Sequence, residues 1–242
     1  MTGMSKPTLF TYGCSFTYGL VRKPEDFVGI TGEKNRCKAW GDFIADDLEI
    51  DHRNFGVSGS GSKQIAWSVR DSQIGPGDIA IVAWSGPLRP FHWSPDAHRY
   101  ETLTAQDDIP WQQTLYEDEV SIRATANYLK NLGVTYFMTS ALMDYKQMEI
   151  MEPFTREDWL SWNWIEWDMY NNSLFDICTH SWLSARCQKF DANNSNSEQH
   201  HILDQYPGLA KGNDLLAECF HPSQAGHEKI AHTLLPYVKN AI

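Results

Sequence analysis

The stretch Ile79–Trp84, which reads IAIVAW, decides the fold because all six of its residues are apolar. A strand that is apolar on both faces is typical of the interior of a parallel sheet covered on both sides. A second such run, VTYFMTS at 134–140, follows a helical pattern at 116–131 that stops before Gly133. This order of strand, helix and strand predicts parallel neighbours joined by a helical crossover.

The same alternation extends outward to both ends of the chain. The sequence therefore predicts a three-layer α/β/α sandwich with a mainly parallel sheet. We expect one domain over residues 1–242, with insertions around 90–112 and 150–212. Pro236 is expected to kink or end the last helix. The remaining predicted elements are strands at 8–12 and 50–55 and helices at 37–48, at 64–71 and from 225 onward.

Composition and charge exclude several classes of protein. The chain has 242 residues, of which 42% are hydrophobic and 13% aromatic, so it is neither disordered nor of low complexity. Its formal net charge of −11 argues against binding to nucleic acid or to an anionic membrane, because both need a basic surface.

The location of the protein is also predicted from the sequence. No run of about 18 apolar residues is present, which argues against a transmembrane helix. The amino terminus lacks the charged and long apolar regions of a signal peptide. The five cysteines are scattered without a C-x-x-C pair, so we expect reduced thiols in a cytoplasmic compartment.

The first chemically informative segment, GCSFT at 13–17, directly follows the first predicted strand. A serine at a tight strand-to-helix turn presents its hydroxyl, and its backbone N–H points to where an oxyanion would form. An ordinary turn serine is the alternative interpretation. The segment also departs from the G-x-S-x-G pattern, since its fifth position is Thr17.

The second segment, ECFHPS at 218–223, precedes the carboxyl-terminal helix. A nucleophilic serine needs a base, and a histidine base needs a carboxylate that fixes its tautomer. Glu218 and His221 could supply both from one loop. Alternatively, His221 is a polar residue ahead of a helix that has Pro222 in its first turn. His227 and His232 are predicted to lie on the surface of that helix.

The third segment, NFGVSGSGS at 54–62, follows the second predicted strand. Its glycines would let the backbone approach a substrate closely and donate N–H groups. A flexible loop is the alternative. The segment is not a phosphate-binding loop, because it contains neither a Walker pattern nor a complete G-x-G-x-x-G.

In their order along the chain, these three segments resemble the blocks of the SGNH/GDSL hydrolase superfamily. The resemblance implies that Ser15 is the nucleophile and that its N–H also donates to the oxyanion. It further implies that Gly59 is a second oxyanion donor and that His221, in the tail HPSQAGH, is the base. Glu218 stands where the family has its orienting Asp, and Asp214 is the reserve candidate for that role.

Besides Glu218, the sequence departs from the family pattern at two further blocks. Cys14 replaces the usual Asp of the Gly-Asp-Ser block. After the third strand, SGPLR at 85–89 lacks the family's asparagine, whose amide donates to the oxyanion. Loss of such a donor costs about 2.7–4 kcal/mol of transition-state stabilisation unless another group replaces it. The Ser85 hydroxyl could do so, and Arg89 could contact the substrate, although a surface ion pair is the alternative for Arg89.

The resemblance implies the flavodoxin-like sheet of the SGNH fold and a serine esterase that needs neither metal nor organic cofactor. Its expected substrates are small acyl esters, including O-acetylated carbohydrates. A degenerate SGNH domain that binds a glycan or a protein without turnover is the alternative, motivated by the missing asparagine. An acyltransferase with the same triad is a third hypothesis.

Overall fold

The computed structural model describes residues 6–19, 36–85, 91–94, 99–102, 111–141, 165, 174–179, 214–216 and 221–242. Its centre is a four-stranded sheet in the order β2-β1-β3-β6. The strands are β1 (Thr8–Gly13), β2 (Asp51–Gly56), β3 (Ile79–Trp84), β4 (Phe91–Ser94), β5 (Arg99–Thr102) and β6 (Thr135–Ser140). The helices are α1 (Ser15–Tyr18), α2 (Trp40–Leu48), α3 (Ser62–Asp71), α4 (Trp111–Asn131), α5 (Leu174–Thr179) and α6 (Gln224–Lys239).

All neighbouring strands of the central sheet are parallel. Strand β1 pairs with β2 on one side and with β3 on the other, and β3 pairs with β6. The chain therefore passes from β1 to β2 on one side of β1 and then to β3 on the other side. This reversal of direction makes the gap between β1 and β3 a topological switch point. Ligands of such sheets bind outside the carboxyl ends of the strands at this point.

Each face of the sheet packs against its own helical layer. Along β1, Leu9 points into the layer that holds α2, α5 and α6, and Phe10 points into the layer that holds α3 and α4. Ile81 is fully buried in the central strand, and burial of such a side chain stabilises the fold by about 1.5–3 kcal/mol. The predicted α/β sandwich is thus confirmed.

A hydrogen-bonded chain ties α2 to the sheet. His52 Nδ1 donates to Asp42 Oδ1 at 2.7 Å, and the second ring nitrogen of His52 lies 2.9 Å from Thr11 Oγ1. The N–H of Ala39 donates to Asp42 Oδ2 at 2.9 Å. Burial alone would raise the pKa of Asp42, but the hydrogen bonds from His52 and Ala39 and the nearby positive charges hold it below its usual value.

Four helices begin at other residues than the sequence predicts. Helix α3 begins at Ser62 rather than 64, and α6 begins at Gln224 rather than 225. Helix α2 begins at Trp40 rather than 37, because Ala39 is extended and its N–H is capped by Asp42. Helix α4 begins at Trp111 rather than 116.

Pro236 does not end helix α6, which continues to Lys239. A proline in a helix removes one hydrogen bond, here to the carbonyl of His232. Both residues are exposed, so water can bind that carbonyl, and Leu234 and Val238 stay buried on either side.

The predicted insertions lie mostly outside the described residues. Within the first of them, β4 and β5 form a separate antiparallel pair. Among the helices that the structure describes, none is both long and apolar enough to cross a bilayer.

Candidate active site

Ser15 is the first residue of α1 and follows β1 after a single residue. The turn is tight because the N–H groups of Thr17 and Tyr18 both donate to the Cys14 carbonyl, at 2.9 and 3.0 Å. Cys14 itself is extended, with φ −91° and ψ −156°. Ser15 is only 2% exposed. The structure therefore contains the strand-to-helix turn that the sequence predicts.

His221 reaches this turn from the other end of the chain. Its Nε2 lies 2.8 Å from Ser15 Oγ, although the two residues are 206 positions apart in the sequence. In the tautomer that carries its proton on Nδ1, Nε2 accepts the hydrogen bond from the Ser15 hydroxyl. This is the arrangement that a serine and its general base require.

The start of α6 holds His221 in place. Ser223 caps the helix by accepting a hydrogen bond from the Gly226 N–H at 3.1 Å. The Ser223 N–H donates to the Leu215 carbonyl at 2.9 Å. A Cβ on Gly226 would lie 2.1 Å from that carbonyl oxygen, so this helix position must be glycine. In the spacing His-Pro-Ser-x-x-Gly, the serine thus caps the helix and the glycine allows the close approach to the Leu215 carbonyl. Together these contacts place the imidazole of His221.

The loop after β2 clamps α1. Asn54 Nδ2 donates to the Thr17 carbonyl at 2.8 Å, and Asn54 Oδ1 accepts from the Gly56 N–H at 2.8 Å. A Cβ on Gly56 would lie 2.4 Å from the Tyr18 nitrogen. The contact of Asn54 with α1 was not predicted from the sequence, and Gly56 was expected to approach a substrate rather than α1. Their spacing, an asparagine two residues before a glycine at a strand end, was the available signal.

The same loop also binds the end of β1. The Val57 N–H donates to the Gly13 carbonyl at 2.9 Å, and Ser60 Oγ donates to it at 3.0 Å. A Cβ on Gly13 would meet Thr17 Oγ1 at 2.1 Å, so glycine is required where α1 folds back over β1.

Gly59 is an exposed residue of this loop and has a left-handed backbone with φ +80°. No heavy atom lies within 4 Å of the position that its Cβ would take. The loop brings Gly59 to the carboxyl edge of the sheet, the edge that carries Ser15. Its role as an oxyanion donor stays a prediction.

Ser85 directly follows β3, the strand beside β1, and so lies at the switch point of the sheet. It is 1% exposed, and within the part of the chain that the structure describes its hydroxyl has no hydrogen-bond partner. Buried hydroxyls are normally paired, so an unpaired one at the carboxyl end of a central strand is a candidate for a group that works during a reaction.

Two predicted site residues, Glu218 and Arg89, lie outside the described residues. Asp214, the reserve candidate for the orienting acid, is exposed. Its main-chain carbonyl accepts a hydrogen bond from the Ser223 hydroxyl. The identity of the orienting acid therefore stays a prediction.

His227 is fully buried, and the prediction that it lies on the helix surface is wrong. It belongs to the same stripe as Ile230, Leu234 and Val238, which faces the sheet. Its pKa is lowered to about 4, chiefly by burial and also by the positive charge of His221, whereas Asp42 acts in the opposite direction. His227 is therefore neutral near pH 7. His232 is exposed, as predicted.

The described residues contain no candidate metal site. Throughout the described ranges, no group of three or more His, Cys, Asp or Glu side chains could hold a metal ion. Cys14, Cys37 and Cys178 carry free thiols.

No protein-family model and no curated protein sequence matches the chain. Solved structures do match. An acetyl xylan esterase from the rumen bacterium Butyrivibrio proteoclasticus is 10% identical with a TM-score of 0.54, over 99% of this chain and 65% of that enzyme. A G-D-S-L family lipolytic protein from Veillonella parvula is 11% identical with a TM-score of 0.41, over 96% and 98% of the two chains. A variant of an acetyl-xylooligosaccharide esterase from Geobacillus is 18% identical with a TM-score of 0.45, over 98% and 95%.

The first of these similarities is close enough to show a common fold, although the chain spans only about two thirds of that enzyme. It agrees with the parallel β2-β1-β3-β6 sheet between two helical layers. The chain therefore has the α/β fold of that acetyl xylan esterase, in agreement with the fold class that the sequence predicts.

Proposed function

We propose that the protein is a serine-dependent ester hydrolase of the SGNH type. The observation that carries the proposal is the 2.8 Å contact between His221 Nε2 and Ser15 Oγ. In the first step, Ser15 Oγ attacks the ester carbonyl and its proton passes to His221. Collapse of the tetrahedral intermediate breaks the ester C–O bond, and His221 returns the proton to the departing alcohol.

The second half of the reaction releases the acid. Water attacks the acyl-Ser15 ester and gives a proton to His221. The second tetrahedral intermediate then collapses, and Ser15 Oγ leaves with that proton. The sum is one ester and one water converted to one alcohol and one acid, so the sequence of steps consumes no cofactor.

Three donors would hold the oxyanion in both steps: the backbone N–H groups of Ser15 and Gly59 and the hydroxyl of Ser85. The support for Ser85 is its place after β3 and its buried oxygen, which has no hydrogen-bond partner among the described residues. Such a hydroxyl is available to donate when the carbonyl oxygen of the substrate becomes negative.

The orienting carboxylate would come from Glu218, which precedes His221 by three residues, and a Ser-His-Glu triad is chemically competent. Asp214 is the second candidate, because Ser223 ties its backbone to the segment that carries His221. Arg89, four positions after Ser85 in the sequence, is proposed to contact the substrate.

The proposed substrates are small acyl esters. Acetyl groups on carbohydrate are the first class to test, because the acetyl xylan esterase of Butyrivibrio proteoclasticus shares the fold. Purified protein should hydrolyse p-nitrophenyl acetate and be labelled by a fluorophosphonate probe, whereas Ser15→Ala should show background hydrolysis and no labelling.

A binding domain without turnover is the second candidate function. The missing asparagine after β3 and the 2% exposure of Ser15 favour it. Under this alternative, wild type and Ser15→Ala would hydrolyse the ester at the same background rate, and neither would be labelled.

A further inference from the structure

Phe16 touches the same imidazole as the serine beside it. The centroids of the Phe16 and His221 rings are 5.5 Å apart, and the ring planes are tilted by 43°. Phe16 is 3% exposed, so its ring is held by the surrounding core. The short helix α1 thus contacts His221 twice, once through the Ser15 hydroxyl and once through the neighbouring aromatic ring.

We propose that Phe16 is a positioning residue that holds the His221 imidazole against Ser15 and stabilises its protonated form. The inference rests on the proposed function, in which His221 becomes an imidazolium each time it takes a proton. No motif in the sequence marks Phe16 for this role.

The physical basis is the charge distribution of the aromatic ring. The face of a phenyl ring is electron-rich and attracts a cation within about 6 Å of its centroid, most strongly where water is excluded. A centroid separation of 5.5 Å with tilted planes also falls within the range of favourable aromatic contacts. The ring therefore favours imidazolium over imidazole, and its bulk limits rotation of the histidine away from Ser15.

Other groups near His221 act on it differently. Ser15 of α1 is uncharged. His227 of α6 is neutral, since burial lowers its pKa to about 4. The Asp214 carboxylate, from the segment ahead of α6, is exposed and screened by solvent. Phe16 differs from these groups because it is buried and in ring contact with the imidazole.

The test is an NMR titration of His221 in wild type and in Phe16→Leu, which keeps an apolar side chain but removes the ring. We expect the pKa of His221 to fall by about 0.5–1 unit. The acid limb of the kcat/KM profile should move to lower pH by the same amount, because neutral His221 is the active base. At the plateau, kcat should fall about threefold to tenfold, with little change in KM.

Phe10→Leu is the matched control. Phe10 is 2% exposed but lies in the opposite layer, where its ring stacks on Tyr12 and Phe55. This variant should lose comparable stability and leave the His221 pKa unchanged. If Phe16→Leu does not fold, pentafluorophenylalanine at position 16 serves instead, since it keeps the shape of the ring and reverses its charge distribution.

The outcomes separate this inference from the proposed function. An unchanged His221 pKa in the Phe16 variants, or an equal shift in Phe10→Leu, overturns the role of Phe16. If wild type hydrolyses no ester, the proposed function fails, and the role of Phe16 in esterase catalysis fails with it. The titration then still decides whether the ring stabilises the imidazolium. If wild type hydrolyses the ester but the His221 pKa is the same in the Phe16 variants, the inference about Phe16 fails and the proposed function stands.

Discussion

Replacement of Ser85 by alanine should raise stability and lower activity, a combination that few substitutions produce. The change deletes one oxygen atom that is 1% exposed and has no partner among the described residues. In the folded, substrate-free protein, no hydrogen bond within the described part of the chain is lost with that atom. In the transition state, the proposed third oxyanion donor disappears.

The two magnitudes follow from these two states. A buried hydroxyl without a partner costs about 1–3 kcal/mol, so its removal should stabilise the fold by about 1 kcal/mol after a small loss of packing. For a chain of this length, that corresponds to a rise in Tm of about 2–4 °C. Loss of one oxyanion donor lowers kcat by about 10²-fold, the lower end of the measured range.

The assay combines initial rates on p-nitrophenyl acetate with thermal unfolding of the same samples. Thr139→Val is the matched control. Thr139 lies in β6, is fully buried, and also has a hydroxyl without a partner in the described structure. It should gain stability as Ser85→Ala does, but keep the wild-type kcat.

Two results would refute the reasoning about Ser85. If Ser85→Ala keeps the wild-type kcat, the Ser85 hydroxyl is not an oxyanion donor. A clear fall in Tm shows that the hydroxyl has a partner in the folded protein, and then a loss of rate no longer identifies a donor.

Three further outcomes are expected. Asp42→Asn should lower the free energy of unfolding by about 2 kcal/mol at pH 7, because it weakens the charged hydrogen bond to His52. The pKa of Asp42 is lowered in the folded protein, so its carboxylate stabilises the fold at neutral pH and loses this effect when it is protonated. The difference in Tm between wild type and Asp42→Asn should therefore shrink as the pH falls below about 4. Glu218→Ala should lower kcat at least 10²-fold with little change in KM, whereas Asp214→Ala should keep the wild-type kcat. If instead Asp214→Ala lowers kcat and Glu218→Ala does not, Asp214 is the residue that orients His221. Gly226→Ala should lower both Tm and kcat, because the new Cβ would lie 2.1 Å from the Leu215 carbonyl oxygen, in the segment that holds His221. If both quantities keep their wild-type values, the segment can shift to make room for the methyl group.

The sheet could be predicted because the local residue pattern indicates its strands. Ile79–Trp84 has the predicted bounds, since a fully apolar run can be satisfied only between two covered faces. Helix starts were less predictable. They depend on single capping contacts, such as the hydrogen bond from the Ala39 N–H to Asp42, which periodicity does not report.

The surroundings of the candidate site were predicted only in part. His227 was expected on the surface because it is polar, although the periodicity of α6 places it on the buried stripe. Asn54 and Phe16 were overlooked because each acts on a residue of another segment. Asn54 holds the carbonyl of Thr17, and Phe16 holds the ring of His221.

The sequence by itself determined the order of strands and helices, the residue types at each strand end and the turn that follows β1. These depend on apolar periodicity and on glycine, which act over a few neighbouring residues. Only the tertiary structure decided that Ser15 and His221 meet, since 206 positions separate them. That contact depends on the order β2-β1-β3-β6 and on how α6 packs against α2 and the sheet, because a hydrogen bond tolerates an error of only a few tenths of an ångström.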